Sequence, residues 1–130
     1  MEKVLNDLCA RLPYGVKVNV TDSTIYKDPM TVMGIDYSKE VVKVGENVGG
    51  MFFTHNEKVT DVKPYLRPMS SMTDIEQKKY RMYICEIESS GFNISKMSEM
   101  IGWLNSIYVD YNGLIPMGLA LEAPDGMYNF

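Results

Sequence analysis

The side chains with the widest chemical repertoire in this chain are also its scarcest: one histidine, His55, and two cysteines, Cys9 and Cys85. A Cys9–His55 pair would supply a thiol nucleophile and an imidazole to take its proton. Local context argues against that pairing. Cys9 falls on the apolar face of a helical pattern, where thiols are usually inert, and His55 lies in the polar stretch THNEK, which reads as an exposed turn. One histidine and two dispersed cysteines give no zinc-ligand spacing. The carboxylates Asp22, Asp28, Asp36, Glu40 and Glu46 each occupy a turn or solvent-facing position, and no pair among them stands out as acid and base. The run GENVGG, residues 45–50, lacks the lysine and hydroxyl of a phosphate loop and does not match the dinucleotide fingerprint. It reads as a connection between two strands through residues of positive φ. No catalytic residue, metal or cofactor is therefore expected, and the chain reads as noncatalytic.

Binding chemistry is better represented. Tyr65, Arg67, Tyr80 and Tyr83, with Lys63, Lys78 and Lys79 nearby in sequence, combine aromatic area with positive charge. These are the ingredients of a protein interface or of a single-stranded nucleic-acid site. Tyr65, Arg67, Tyr80, Tyr83 and Trp103 are the candidates for protein contact; Lys63, Arg67, Lys78, Lys79 and Arg81 are those for a nucleic-acid backbone. The same residues would serve equally as a hinge packed on a sheet, with the lysines keeping it soluble. Eleven methionines suggest an adaptable surface, but most fall on expected core faces, where they fill irregular gaps.

These residues straddle a boundary. The stretch from Asp61 to Met72, DVKPYLRPMSSM, separates two halves with different hydrophobic periods. Upstream, Val4, Leu5, Leu8, Cys9 and Leu12 share one helical face, with Glu2, Lys3, Asn6, Asp7 and Arg11 on the other, so the spacing predicts a helix over 2–12 ended by Pro13. Val16, Val18 and Val20 then alternate with Lys17 and Asn19. Further strands are expected at Thr24–Tyr26, Thr31–Tyr37, Glu40–Val44, Met51–Thr54 and Lys58–Val62, with turns at 21–23, 27–29, 38–39, 45–50 and 55–57. Short strands at this spacing suggest an antiparallel meander that curls into a small SH3-like barrel over residues 14–66. Pro64 and Pro68 fix their own φ and lack donors, which places KPYLRP outside any central strand. Downstream, Thr73 and Glu76 form a capping-box pattern opening a helix over 74–87, with Tyr80, Tyr83, Ile84 and Ile87 as its apolar stripe. A third helix is predicted over 95–108, with Met97, Met100, Ile101, Leu104, Ile107 and Tyr108 on one face, and the two should pack as a hairpin. The apolar tail, broken by Gly113, Pro116, Gly118, Pro124 and Gly126, should turn and pack back in extended form. The fold class expected is α+β in one domain.

Size and charge bound the rest. The chain has 130 residues, 45% hydrophobic and 23% charged, within the usual size of one domain with one core. The net charge of −4 disfavours broad attraction to nucleic acid. Residues 1–56 balance to −1, residues 57–83 to +2 and residues 84–130 to −5. Such a split either steers a partner or reflects ordinary solvated faces. Cys9 and Cys85 both sit in apolar periodic positions and read as buried free thiols rather than a disulfide. MEKVLNDLCARL lacks the basic start and continuous apolar core of a secretory signal, and no apolar run would span a bilayer, so the cytoplasm is the expected location.

At NDLCARLPYGV, DVKPYLRPMSSMT and WLNSIYVDYNGLIPMGLALEAPDGMY the chain resembles short uncharacterised proteins encoded by prophages and other mobile elements of gut anaerobic bacteria of the Bacteroidales type. The resemblance covers both ends and the boundary segment. It brings no established activity and no functional residues to carry over. Ser106, Ile107 and Tyr108, and Ile115, Pro116 and Met117, depart from the charged or histidine residues more usual in that group. What the resemblance and the residues together imply is an accessory protein of a mobile element that binds another protein through the boundary segment, with a nucleic-acid-associated regulator as the alternative.

Overall fold

The computed structural model describes residues 2–21 and 29–128. The expected strand at Thr24–Tyr26 and most of the turns flanking it lie outside the described residues.

Helix α1, Glu2–Arg11, opens the chain. Val4, Leu5 and Leu8 are essentially fully buried on the sheet, and each aliphatic side chain so covered contributes about 1.5–3 kcal/mol. Pro13 sits in the 3-10 turn Leu12–Tyr14 that ends the helix, and Gly15 at φ 69° swings the chain into the sheet through a left-handed conformation that disfavours a Cβ.

The sheet contains β1 (Lys17–Val20), β2 (Met30–Asp36), β3 (Val41–Val48), β4 (Met51–Lys58), β5 (Val62–Leu66) and β6 (Leu121–Glu122) in the order β4-β3-β2-β1-β5-β6. The period-two pattern is obeyed where it matters: Val16, Val18, Val32, Val42 and Val44 point into one core with Leu66 and Leu114. β3 and β4 form a hairpin closed by Gly49 and Gly50, at φ 59° and 84°, a pair of left-handed residues suited to a two-residue turn. The glycine-rich run is thus strand up to Val48 and turn only at its last two residues.

Four expectations need correction. The sheet is open, ending at β4 and β6, and is not a closed barrel among the described residues. It is mixed, because β6 runs parallel to β5 through Tyr65↔Leu121 and Leu66↔Glu122. Pro64 does lie in an interior strand, opposite Val18, which is possible because β6 begins only at the level of Tyr65, leaving Pro64 paired on the β1 side alone. The stretch 55–57 is no turn: β4 continues unbroken to Lys58, and a 3-10 turn over Val59–Asp61 leads into β5.

Beyond β5 the chain turns helical as its period demands. α2 (Asp74–Ser89) and α3 (Ile94–Ser106) form a hairpin. Together with Met72, Ile107 and Val109 they build a second apolar cluster that takes in Tyr80, Met100 and Trp103 at its rim. The tail then returns to the sheet as β6, and Tyr128 stacks on Tyr108 with ring centroids 3.7 Å apart. No helix is long and apolar enough to cross a membrane among the described residues.

Candidate functional site

The boundary segment is a clamp. Arg67 makes two parallel bonds to Glu76, at 2.7 and 3.1 Å, and also donates to the carbonyls of Ser71 and Ile107. Glu76 at the same time accepts from the backbone N–H of Thr73, whose hydroxyl accepts from the Glu76 N–H, so the capping box and the ion pair share one carboxylate. Hydrogen bonds from Arg67 and Thr73 hold the Glu76 carboxyl below its ordinary range. The clamp fixes the start of α2 against the end of α3.

The second polar centre lies under α1. Arg11 and Asp7, one turn apart, form an ion pair at 3.0 Å with neither side chain exposed. Arg11 Nη2 also donates to the Val109 carbonyl at 2.7 Å, and Asn112 Nδ2 donates to Asp7 at 3.0 Å. The Tyr111 ring lies 5.1 Å from the Arg11 guanidinium carbon, and its hydroxyl donates to Asn105. Asp110, buried beside them, accepts from the backbone N–H groups of Leu114 and Ile115. Arg11 Nη1 is buried without a partner among the described residues. This network joins the first helix to the segment after α3.

Each residue singled out by sequence can now be placed. Tyr65 is buried in β5, and its carbonyl accepts from Tyr128. Arg67 is committed to the clamp. Tyr83 and Trp103 pack at 5.8 Å between α2 and α3, with the Lys79 ammonium 5.0 Å from the Trp103 ring, so this aromatic group is half-buried structure. Tyr80 supports the same cluster. Lys63 is half-buried in β5, while Lys78 and Arg81 are exposed on α2. Of the two candidate sets, Tyr65 is buried and Arg67 is held by Glu76, whereas Lys78, Lys79 and Arg81 are exposed on α2.

The cysteines and methionines also differ from expectation. Cys9 and Cys85 are free and exposed. The buried arc of α1 runs through Asp7 and Arg11, assigned to the solvent face by polarity, and rotates Cys9 outward. Among the described methionines only Met30 and Met72 are buried, whereas Met33, Met51, Met82, Met97 and Met117 are exposed. His55 is half-buried within β4, opposite Val44, rather than in a turn. Among the described residues no three His, Cys, Asp or Glu side chains group as metal ligands would.

What sequence reasoning missed is the tip of the β3–β4 hairpin. Val48, Met51, Phe52 and Phe53 are all exposed there, Met51 by 64% and Phe52 by 53%. Among the described residues β4 has a strand neighbour on one side only. Register puts Met51 and Phe53 on the face of Val44, and Phe52 on the other, where its ring lies across Gly45. A Cβ at Gly45 would stand 2.6 Å from that ring, so glycine is needed for Phe52 to lie flat. The signal was present as three consecutive large apolar residues after a Gly-Gly turn.

No family model matches this sequence, and no curated protein or solved structure gives a match.

Proposed function

We propose that this chain is a noncatalytic accessory protein of a phage or other mobile element, acting in the host cytoplasm by binding an extended segment of another protein along β4. The supporting observation is the pairing of an eight-residue edge strand with an exposed Met51-Phe52-Phe53 triplet at its start. An edge supplies backbone donors and acceptors in register, and alternate side chains on its two faces supply selectivity. Natural edge strands are commonly blunted by charge or proline; here the charges, Glu57 and Lys58, stand at the far end, and the first three residues carry apolar bulk instead. Aromatic and methionine side chains are those enriched at the centre of protein interfaces. The mobile-element setting is supported by the three resembling strings.

Capture from the native host with wild-type protein and Phe53→Asp tests the proposal. The wild type should enrich a partner that the variant loses while its melting temperature stays unchanged, and amide exchange over residues 51–54 should slow in the complex. Retention of the same partners by Phe53→Asp would refute the edge as the binding site.

A further inference from the structure

The outer face of α2 carries a second stripe, separate from the one that packs on the core. Ile75, Lys78, Met82, Cys85 and Ser89 follow at intervals of three, four, three and four, and all five are exposed. That is the spacing of a coiled-coil seam, and Ile75 and Met82 stand on it 82% and 56% exposed. On one flank of the seam Lys79 is followed a heptad later by Glu86; on the other Arg81 is followed by Glu88, all four exposed. Both flanks thus change sign from positive to negative midway along the helix. Within one chain this order is unfavourable. Glu86 and Glu88 stand towards the negative end of the helix dipole, and the last turn contains no basic residue to offset them. Glu86 finds Lys96 at 3.2 Å, whereas Arg81 and Glu88 have no ion-pair partner among the described residues.

We propose that α2 docks against α2 of a second copy of this chain, antiparallel, about a two-fold axis passing between Met82 and Cys85. In that register Met82 meets Cys85 of the second copy, and Lys78 comes level with Ser89. Arg81 faces Glu88 of the second copy, a contact made twice by symmetry, while on the other flank Lys79 stays over the Trp103 ring and Glu86 stays bridged to Lys96 of its own chain. A parallel arrangement would set Lys78 against Lys78 in the seam, removing two like charges from water together. The helix has 16 residues and is about 24 Å long at ~1.5 Å per residue. One such face is smaller than the ~800 Å² per partner of a standard complex, so the association is concentration-dependent. The surface lies on a different element from β4 and does not depend on the partner proposed there.

Sedimentation equilibrium of the full chain, with a charge swap, tests this contact. The wild type should show a monomer–dimer equilibrium, which Arg81→Glu or Glu88→Arg alone weakens by roughly tenfold or more and the double swap R81E/E88R restores. Both positions are exposed, so folding is preserved and melting checks it. In Cys9→Ser protein a short bismaleimide should join two copies through Cys85, because the axis places the two Cys85 residues only about 4.5 Å apart along the helix direction. A chain that stays monomeric at about 1 mM overturns the proposal. So does a dimer indifferent to Arg81→Glu, or one abolished by Phe53→Asp, which would place the contact on β4.

Discussion

Arg11→Met removes the guanidinium while keeping most of the volume of its stem, so the loss measures charge and hydrogen bonding rather than a cavity. The variant strips the Asp7 carboxylate, unexposed, of its cation at 3.0 Å and, among the described residues, leaves it only the Asn112 amide. It also removes the 2.7 Å donor to the Val109 carbonyl. An uncompensated buried charge of this kind costs about 3–5 kcal/mol, a large share of the ~5–15 kcal/mol that stabilises an ordinary domain. With a urea slope of ~1–3 kcal/mol per molar the midpoint should fall by about 2 M. The double variant Asp7→Leu, Arg11→Met takes both charges out together and ends the burial of the unpartnered Nη1, so it should cost far less than the two single changes summed, with a coupling of at least ~2 kcal/mol. Urea titrations followed by near-ultraviolet circular dichroism give all four corners of the cycle. A cost below about 1 kcal/mol for Arg11→Met, or a double variant equal to the sum of its singles, would refute the reasoning that this pair is desolvated and interdependent.

Acid stability should report the clamp. Glu76 is held below its ordinary value of 4.5, so its ionised form stabilises the fold fully above that pH and loses the contribution as acid carries the pH down through the folded value; Glu76→Gln should flatten that limb of the stability curve. Base should report the tail: burial raises the Tyr128 phenol well above its ordinary 10, so its contribution is intact below pH 10 and is lost as the pH rises towards the folded value. Tyr128→Phe should remove that alkaline loss, at a cost of about 1–3 kcal/mol at neutral pH for the bond donated to the Tyr65 carbonyl and the one accepted from the Lys17 N–H. Fluorescence anisotropy with single-stranded DNA should show no binding at low salt, because Arg67 is held by Glu76 and Lys79 lies over Trp103. Binding that falls steeply with salt and is lost in Lys78→Ala, Arg81→Ala would instead support the nucleic-acid reading.

Local signals were the ones legible in the sequence. Thr73 and Glu76 fixed the start of α2 because a capping box involves only four consecutive residues, and Pro13 marked the end of α1 through its own backbone. Strand extent was harder. THNEK in β4 is polar because it lies on an edge strand, which imitates a turn, so the strand looked shorter than it is. Asp7 and Arg11 looked like a solvent face because polarity alone cannot tell a solvated charge from one paired inside; their four-residue spacing, with opposite signs, was the clue. β6 was hidden because two residues carry no period, and its pairing with β5 depends on where the tail returns. The exposed triplet at Met51 was visible as residues, but its exposure followed only from β4 being last in the sheet among the described residues.

The bond from Arg11 to Val109 crosses 98 positions of sequence. During synthesis, then, α1 emerges with its buried charge waiting on a segment that the ribosome supplies roughly 5–20 s later at ~5–20 residues per second. Throughout that interval Arg11 lacks the Val109 carbonyl and Asp7 lacks the Asn112 amide. Chaperones would engage the nascent chain in this window, and release should coincide with translation of the residues that follow α3.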